Sequence, residues 1–441
     1  MTMRDLIYPT LLPENWPFSW EFLPQPAYIV GGAVRDALLG RTREYLDLDF
    51  IIPSGAVAVA EAIARHYHAG FVLLDAQRQI ARVVFPEATV DFAQQEGESI
   101  EADLYRRDFT INAIAYNPYT QQFIDPLQGR ADLEQGILRM ISPNNLKDDP
   151  LRLMRAYRQA AQLDFTIELN TEKTIHNLAS HITEVAAERV RGEIHYLLAN
   201  SQGTHWLIKA AENGLLAPLF PNANSLSFEK LAKVDQVAIS LSQIYPQLST
   251  ELQQYVRDTV KTTWLGIAKL ACLVDSNPEV AKAELQVRTY SQAEIKAVTT
   301  ALKLLPQLKS DSMSVREQYF FFQAAGNVFA ATIILALVDN NLVSAMSGDN
   351  SLGVYAPLIN RYLNPDDLVA HPTKLVSGDE LILALNILPS PELGELLTEI
   401  TIAQAEGKIS TPQEAIALAR SLLEVGSREE TGEQGAGSRG N

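Results

Sequence analysis

The sequence predicts an α+β head, a mixed sheet with helices on one side, followed by an all-α neck, body and tail. Three observations predict it. From Ala27 to about Leu133, strand patterns alternate with helical ones and outnumber them. After Leu146 the strand signals largely disappear, and apolar residues recur at spacings of three and four. At 441 residues the chain also exceeds the size at which a single core stops growing, so roughly two to four structural units are expected.

Residues 1–26, with several prolines and Trp16 and Trp20, read as an extended lead-in that packs on the head. The strand AYIVG then meets Gly31 and Gly32 and the helical run VRDALLG. LDLDFII is a second strand, AVAVAEAIARHYH a helix, and GFVLLD, ARVVF and TVDFA three more strands. In DLYRRDFTINAIAYNP a helix is expected to start near Asp108, with Asp108 or Thr110 as its cap. In KDDPLRLMRAYRQAAQL, Asp149 precedes Pro150 and reads as an N-cap with proline at the first helical position. AERVRGEIHYLLA, HWLIKAAENGLL and AEIKAVTTALKLL continue the helical pattern. Ser377 to Leu422 reads as a last helical unit, in which PSPELGELLTEI opens with Ser390 as candidate cap and Pro391 in the first turn. The final GSREETGEQGAGSRGN has no apolar anchor and is expected to be disordered.

Composition narrows the function classes. Hydrophobic content of 47% and charged content of 20% describe a globular protein, and no run of eighteen uninterrupted apolar residues suggests a membrane span. The single cysteine, Cys272, excludes an intramolecular disulfide framework and a thiolate zinc site. Arg4 and Asp5 stand where a signal peptide needs its apolar run, so a cytoplasmic location is expected. A net charge of −17 argues against indiscriminate gripping of nucleic acid. It leaves room for a local basic groove, because Arg35, Arg41, Arg43, Arg106, Arg107, Arg152, Arg155 and Arg158 cluster in or near the motif segments.

Asp47 and Asp49 carry the strongest chemical signal. On a strand, residues i and i+2 share a face, so the two carboxylates project side by side while Leu48 and Phe50 point the other way. Adjacent like charges favour a cation between them, and magnesium takes one or two protein carboxylates with the rest from water and phosphate. The same pattern on an edge strand also serves as a solvated, aggregation-blocking face. Asp91, on another predicted strand, would make a third acid if that strand lies beside the first. Gly31 and Gly32 let backbone amides approach an anion at the start of a helix, within reach of Arg35, although most diglycine turns are only tight corners. Arg106 and Arg107 could hold a triphosphate through planar forks or pair with acids such as Asp108. Arg152, Arg155 and Arg158, three apart, form one helical stripe that needs anions opposite it or else is a solvated face. The seven histidines show no metal-ligand spacing, and no serine or cysteine nucleophile arrangement stands out.

In order, GGAVRDALLG with DLD, LYRRDFTINAIA, IDPLQGRADL, DDPLRLMRAYRQAA and AERVRGEI resemble the class II tRNA nucleotidyltransferases and bacterial poly(A) polymerases. The resemblance is specific over residues 25–200. It continues loosely through ENGLLAPLFP and LVSGDELILALNILPSPELGELL. It implies a nucleotidyltransferase head at 27–145, a base-recognising helical neck at 146–200, a body at 201–310 and a tRNA-binding tail at 311–426, before the disordered 427–441. It implies magnesium at Asp47 and Asp49, with Asp91 as third catalytic carboxylate. Nucleotide binding falls to Gly31, Gly32, Arg35, Arg107, Asp108, Asn112, Asp149, Arg152, Arg155 and Arg158, with Asp149 and Arg152 reading the Watson–Crick edge of the incoming base. The implied reaction is metal-assisted attack of an RNA 3′ hydroxyl on the α-phosphate of CTP or ATP, with pyrophosphate leaving. The partners are tRNA, CTP and ATP, with neither DNA nor a membrane; nothing in the sequence assigns an oligomeric state.

Departures from the family narrow the expectation. Asp148 stands where the family usually has glutamate. AKLACLVDSNPEV lacks the His-Asp pair of fused phosphohydrolase domains, so no such activity is expected. The connection AQQEGESIEA after Asp91 is shorter than the flexible loop that assists the switch to A addition, which favours a CC-adding enzyme over a complete CCA-adding one. A poly(A) polymerase would carry a histidine-containing stretch after the acidic strand and a basic C-terminus, whereas here FVLLDAQRQIARVVF holds no histidine and the tail is not basic. A silent RNA-binding protein would not need Asp47, Asp49 and Asp91.

Overall fold

The computed structural model describes residues 8–41, 45–309, 313–340, 352–353 and 355–434, with side chains to 424. Arg43 of the basic cluster and the last seven residues of the chain lie outside that set. The chain divides into two compact units, Met1–Pro221 and Asn222–Asn441.

The first unit is built on a seven-stranded mixed sheet. Its strands are β1 (Tyr28–Val30), β2 (Leu46–Ile52), β3 (Gly70–Asp75), β4 (Ile80–Phe85), β5 (Ala88–Gln94), β6 (Ala115–Asn117) and β7 (Gln122–Ile124), in the order β3-β4-β5-β2-β1-β6-β7. Only β2 and β5 run parallel; the other five pairings are antiparallel. A parallel pair needs a crossover, and α2 (Ala56–Tyr67) with the β3–β4 hairpin supplies it. Period two then decides what lies where. Leu48, Phe50 and Ile52 of β2 and Val90 and Phe92 of β5 are buried on one face, leaving Asp47, Asp49 and Asp91 on the other. The lead-in covers the apolar face. Phe50 and Phe92 stack at 5.4 Å, and Trp16 and Phe18 meet Phe50 edge-on at 5.0 and 5.8 Å. Among its described residues, 8–26, the lead-in is not extended; it coils through three 3-10 turns, two of them begun by Pro9 and Pro13, whose fixed φ suits a first helical position.

Three local expectations are corrected. No α-helix starts at Asp108: α3 (Ile100–Leu104) ends before it, a 3-10 turn covers Thr110–Asn112, and the apolar residues beyond form β6 in the sheet interior. Asp149 does not cap α6 (Leu151–Leu163) with its side chain, because only its carbonyl accepts from Arg152 N while its carboxylate faces Arg189. The last helix runs Pro412–Gln434, so residues 427–434, expected to be disordered, continue it. Extending an existing helix adds one hydrogen bond per residue without a new nucleus, and Arg428, Glu429 and Glu430 are adequate helix formers. Ser390 occupies the cap position before Pro391 but makes no side-chain cap bond.

The helix α4 (Gly129–Gln135) shows why the IDPLQGRADL motif holds a glycine. A Cβ at Gly129 would lie 2.2 Å from the carbonyl oxygen of Thr110. Gly129→Ala is therefore expected to lower stability by about 1–3 kcal/mol, the usual range for overpacking, read as a fall in the urea midpoint at unchanged slope. An unchanged midpoint would show that this contact relaxes freely. After α4 come α5 (Pro143–Asp148), α6, α7 (Leu169–Leu178), α8 (Ala187–Ala199) and α9 (Ser201–Glu212), which complete the unit.

The second unit is mainly helical, apart from a small hairpin, Tyr255–Arg257 with Val260–Thr263, that lacked a sequence signal. All ten residues of Trp264–Leu273 are buried, and this helix packs on Ser225–Ile244, Gln292–Leu304 and Phe329–Asp339, so one core continues across residue 310. Within it Lys269 is fully buried and pairs with Asp235 at 2.8 Å. The run Val315–Asp339 is long and apolar enough to cross a membrane by composition, but a 3-10 turn at Gly326–Val328 interrupts it and most of it is buried. A smaller core of Val376, Leu381, Leu396, Ile400, Ala415 and Ala419 holds the last helices together.

Candidate active site

The acidic face of β2 opens into a cleft of about 710 Å³ within the first unit, bounded by the turn at Gly31, the segment 103–112 and the helices α5 and α6. Asp47 is exposed and its Oδ1 accepts from Thr89 Oγ1 at 2.6 Å. Asp49 is half-buried, and Asp91 is its register partner on β5. Burial first, then the neighbouring carboxylates of Asp91 and Asp47, push the Asp49 carboxyl up to about 6 against the opposing pull of Arg107 and Arg82.

Gly31 brings the backbone against this pair. Its φ is +70°, and a Cβ there would lie 3.1 Å from Asp49 Oδ2 and 3.5 Å from a terminal nitrogen of Arg107. The backbone conformation thus favours glycine, and a Cβ there would have to push the Asp49 carboxylate aside. Gly31→Ala is expected to lower nucleotide incorporation about 10-fold or more by displacing Asp49, while circular dichroism stays native; wild-type turnover would show that Asp49 need not be held there.

Asp91 stands beside Asp49, but Arg82 takes both its oxygens: Nε to Oδ1 at 2.7 Å and a terminal nitrogen to Oδ2 at 2.8 Å. Among the described residues, no group of three or more His, Cys, Asp or Glu side chains is arranged to hold a metal ion. The residues that line the cleft include Asp47 and Asp49 but not Asp91. A two-carboxylate edge with space for phosphate still fits magnesium, which needs only one or two protein acids.

The remaining expected residues fall into two sets. One set is tied into the protein. Arg35, buried at the first turn of α1 (Gly32–Leu38), donates to Asp36 Oδ1 at 2.8 Å and to Asn112 Oδ1 at 2.9 Å. Asn112 turns its amide nitrogen to Asp108 Oδ1 and Gln159 Oε1, both at 2.9 Å. Burial pushes the Asp108 carboxyl up, but Arg155, the Asn112 amide and the Phe109 N–H together hold it below the usual range. Arg155 bridges Asp108 and Glu193 at 3.3 and 3.6 Å, and Arg158 pairs with Glu193 and donates to Gln162 at 2.8 Å. The anions opposite Arg155 and Arg158 are thus the protein's own carboxylates, so Arg35, Asn112, Asp108, Arg155 and Arg158 brace the cleft as well as line it.

The other set lines the cleft and is tied less fully into the protein. Arg107 donates to Asp103 at 3.3 Å, and its Nε is buried without a partner. Arg152 donates through one terminal nitrogen to the carbonyls of Arg106 and Asn145, both at 2.9 Å, and its Nε is likewise unpartnered. Asp149 meets Arg189 at 3.3 Å near the same wall. Gly32 completes this set at the start of α1.

Sequence reasoning missed Arg82, Glu193, Asn145 and Arg189. Arg82 was within reach of it: a two-residue turn at Pro86–Glu87 pairs Phe85 with Ala88 and so sets Arg82 opposite Asp91. Asn145, whose amide donates to the carbonyls of Tyr105 and Arg107 at 2.8 and 2.6 Å, had no such signal.

Family models match three stretches of the chain: a poly(A) polymerase head domain over residues 27–139, an RNA-binding region of polymerase A over 164–226, and tRNA nucleotidyltransferase domain 2 over 258–419. The chain is 48% identical over 413 residues to a CC-adding tRNA nucleotidyltransferase of Synechocystis, covering 93% of this chain and 97% of that protein. It is 31% identical to a CC-adding tRNA nucleotidyltransferase of Geobacter sulfurreducens, covering 88% and 90%. Its fold is similar to that of a CCA-adding enzyme solved with ATP, with a TM-score of 0.68, 22% identity, and coverage of 90% and 91%.

Proposed function

The chain belongs to the tRNA nucleotidyltransferase family, and we propose that it adds C residues from CTP to the 3′ end of tRNA without a template, stopping at CC. One observation carries this reading. The acid pair and the unsaturated arginines Arg107 and Arg152 open into a single cleft, so one nucleotide can meet a reacting edge at its phosphates and a recognition edge at its base. The short connection after β5 and the 48% identical CC-adding relative support the CC end point over complete CCA.

In this reading Asp47 and Asp49 hold magnesium, which when bound supplies charge neutralisation at the triphosphate and a more acidic 3′ hydroxyl. The amide-lined turn at Gly31–Gly32 and Arg107 orient the phosphates. Asp149 and Arg152 present an acceptor and donors to the base edge, so protein side chains select C. Arg35, Asn112, Asp108, Gln159, Arg155, Glu193 and Arg158 hold the two edges in fixed relation through one chain of buried and half-buried hydrogen bonds and ion pairs. The 3′ hydroxyl then attacks the α-phosphate and loses its proton to solvent, a new P–O bond forms as the bond from the α-phosphorus to the β-bridging oxygen breaks, and pyrophosphate leaves; no side-chain nucleophile is needed. Such an enzyme works beside tRNA in the cytoplasm.

The test uses purified protein, magnesium, labelled CTP or ATP, a tRNA transcript ending at the discriminator base and an unrelated RNA. C incorporation confined to the tRNA transcript is expected. Long A tracts on the unrelated RNA would instead mark a poly(A) polymerase, and no incorporation on either RNA would mark a silent binder.

A further inference from the structure

The contact that this mechanism leaves unused lies on the sheet next to the acid pair. Arg82 on β4 and Asp91 on β5 stand directly opposite each other in antiparallel register, and the guanidinium fork takes both carboxylate oxygens at 2.7 and 2.8 Å. The side chains are 39% and 17% exposed, so the pair is at the surface of the sheet rather than in its core. A two-point fork fixes the plane and rotamer of a carboxylate, which a single ammonium contact does not. It also places a fixed positive charge against both of those oxygens, which opposes the approach of a divalent ion to them. Asp47, by contrast, accepts from the neutral hydroxyl of Thr89, and Asp49 borders the open cleft.

We infer that Arg82 is a positioning residue that holds Asp91 out of the cation's ligand set and leaves a two-carboxylate site at Asp47 and Asp49. The inference rests on the reading that this pair binds the cation. Its consequence is electrostatic: the Arg82–Asp91 pair is neutral as a unit, so the ion meets one negative charge fewer than three free carboxylates would present. A site of that charge binds the free ion modestly and gains its remaining ligands from the incoming triphosphate, which matches the habit of magnesium to bind through few carboxylates plus phosphate oxygens.

The test is titration of nucleotide-free, full-length protein with manganese(II), with free ion read by electron paramagnetic resonance. Arg82→Gln frees Asp91 and is expected to tighten manganese binding about 10-fold or more. The double variant Arg82→Gln with Asp91→Asn keeps the net charge of the natural pair and leaves no uncompensated ion, so it is expected to fold and to bind manganese within about 3-fold of the natural protein. A loss of about 10-fold or more in the double variant would overturn the inference, since it would make Asp91 a ligand even while Arg82 holds it. So would an unchanged affinity in Arg82→Gln. If the single variant does not fold, the double variant alone decides. Asp47→Asn serves as the separate control: if it leaves manganese binding intact, the assignment of the acid pair fails, whereas its loss together with weakened binding in the double variant faults only the role of Arg82.

Discussion

Asp47→Ala is expected to reduce nucleotide incorporation by at least about 10²-fold while leaving tRNA affinity nearly unchanged. Asp47 is exposed at the mouth of the cleft, and its contact of note is the Thr89 hydroxyl, so its removal leaves no buried group stranded and no gap in the core. The apolar face of the same strand, with Leu48, Phe50 and the stacked Phe92, is untouched. The loss should therefore appear in turnover and not in folding. Single-turnover incorporation of labelled CTP, beside filter binding of tRNA, separates the two. Retained turnover would remove Asp47 from the reacting edge, and a parallel loss of tRNA binding would make its role structural.

The second large effect is expected at Arg152. Its guanidinium is anchored at one nitrogen by two backbone carbonyls, while Nε is buried and unpartnered. A buried donor without a partner is costly unless a ligand completes it, and an edge that hydrogen-bonds one base rejects another by leaving groups unpaired. Arg152→Ala should lower the preference for CTP over ATP by roughly 10- to 100-fold, the worth of a good two-point base contact. Competition between the two nucleotides on one transcript measures this ratio. A lower rate at unchanged preference would assign Arg152 to bracing, alongside Arg155 and Arg158.

How much of this was legible follows from the range of the interactions. Period two alone placed Asp47 and Asp49 on one face with Leu48 and Phe50 on the other, because that alternation is a property of the strand itself. The neighbouring position of Asp91 depended on a parallel pairing that no local pattern announces. The spacing of Arg152, Arg155 and Arg158 left two readings open, anions opposite the stripe or a solvated face, and could not show that Asp108 and Glu193 meet Arg155 and Arg158, since those acids come from segments about forty residues before and after. The same limit explains the misread caps. Asp149 and Asp108 have capping chemistry, yet each is drawn away by an arginine distant in sequence, Arg189 and Arg155. The small hairpin at Tyr255–Thr263 escaped because its strands are only three and four residues long.

Incubation of the purified enzyme with magnesium, CTP and ATP together, on a tRNA transcript ending at the discriminator base, tests the central claim most directly when product length is read at single-nucleotide resolution. A product two nucleotides longer, both of them C, is the predicted result even at prolonged times. A product three nucleotides longer and ending in A would contradict it.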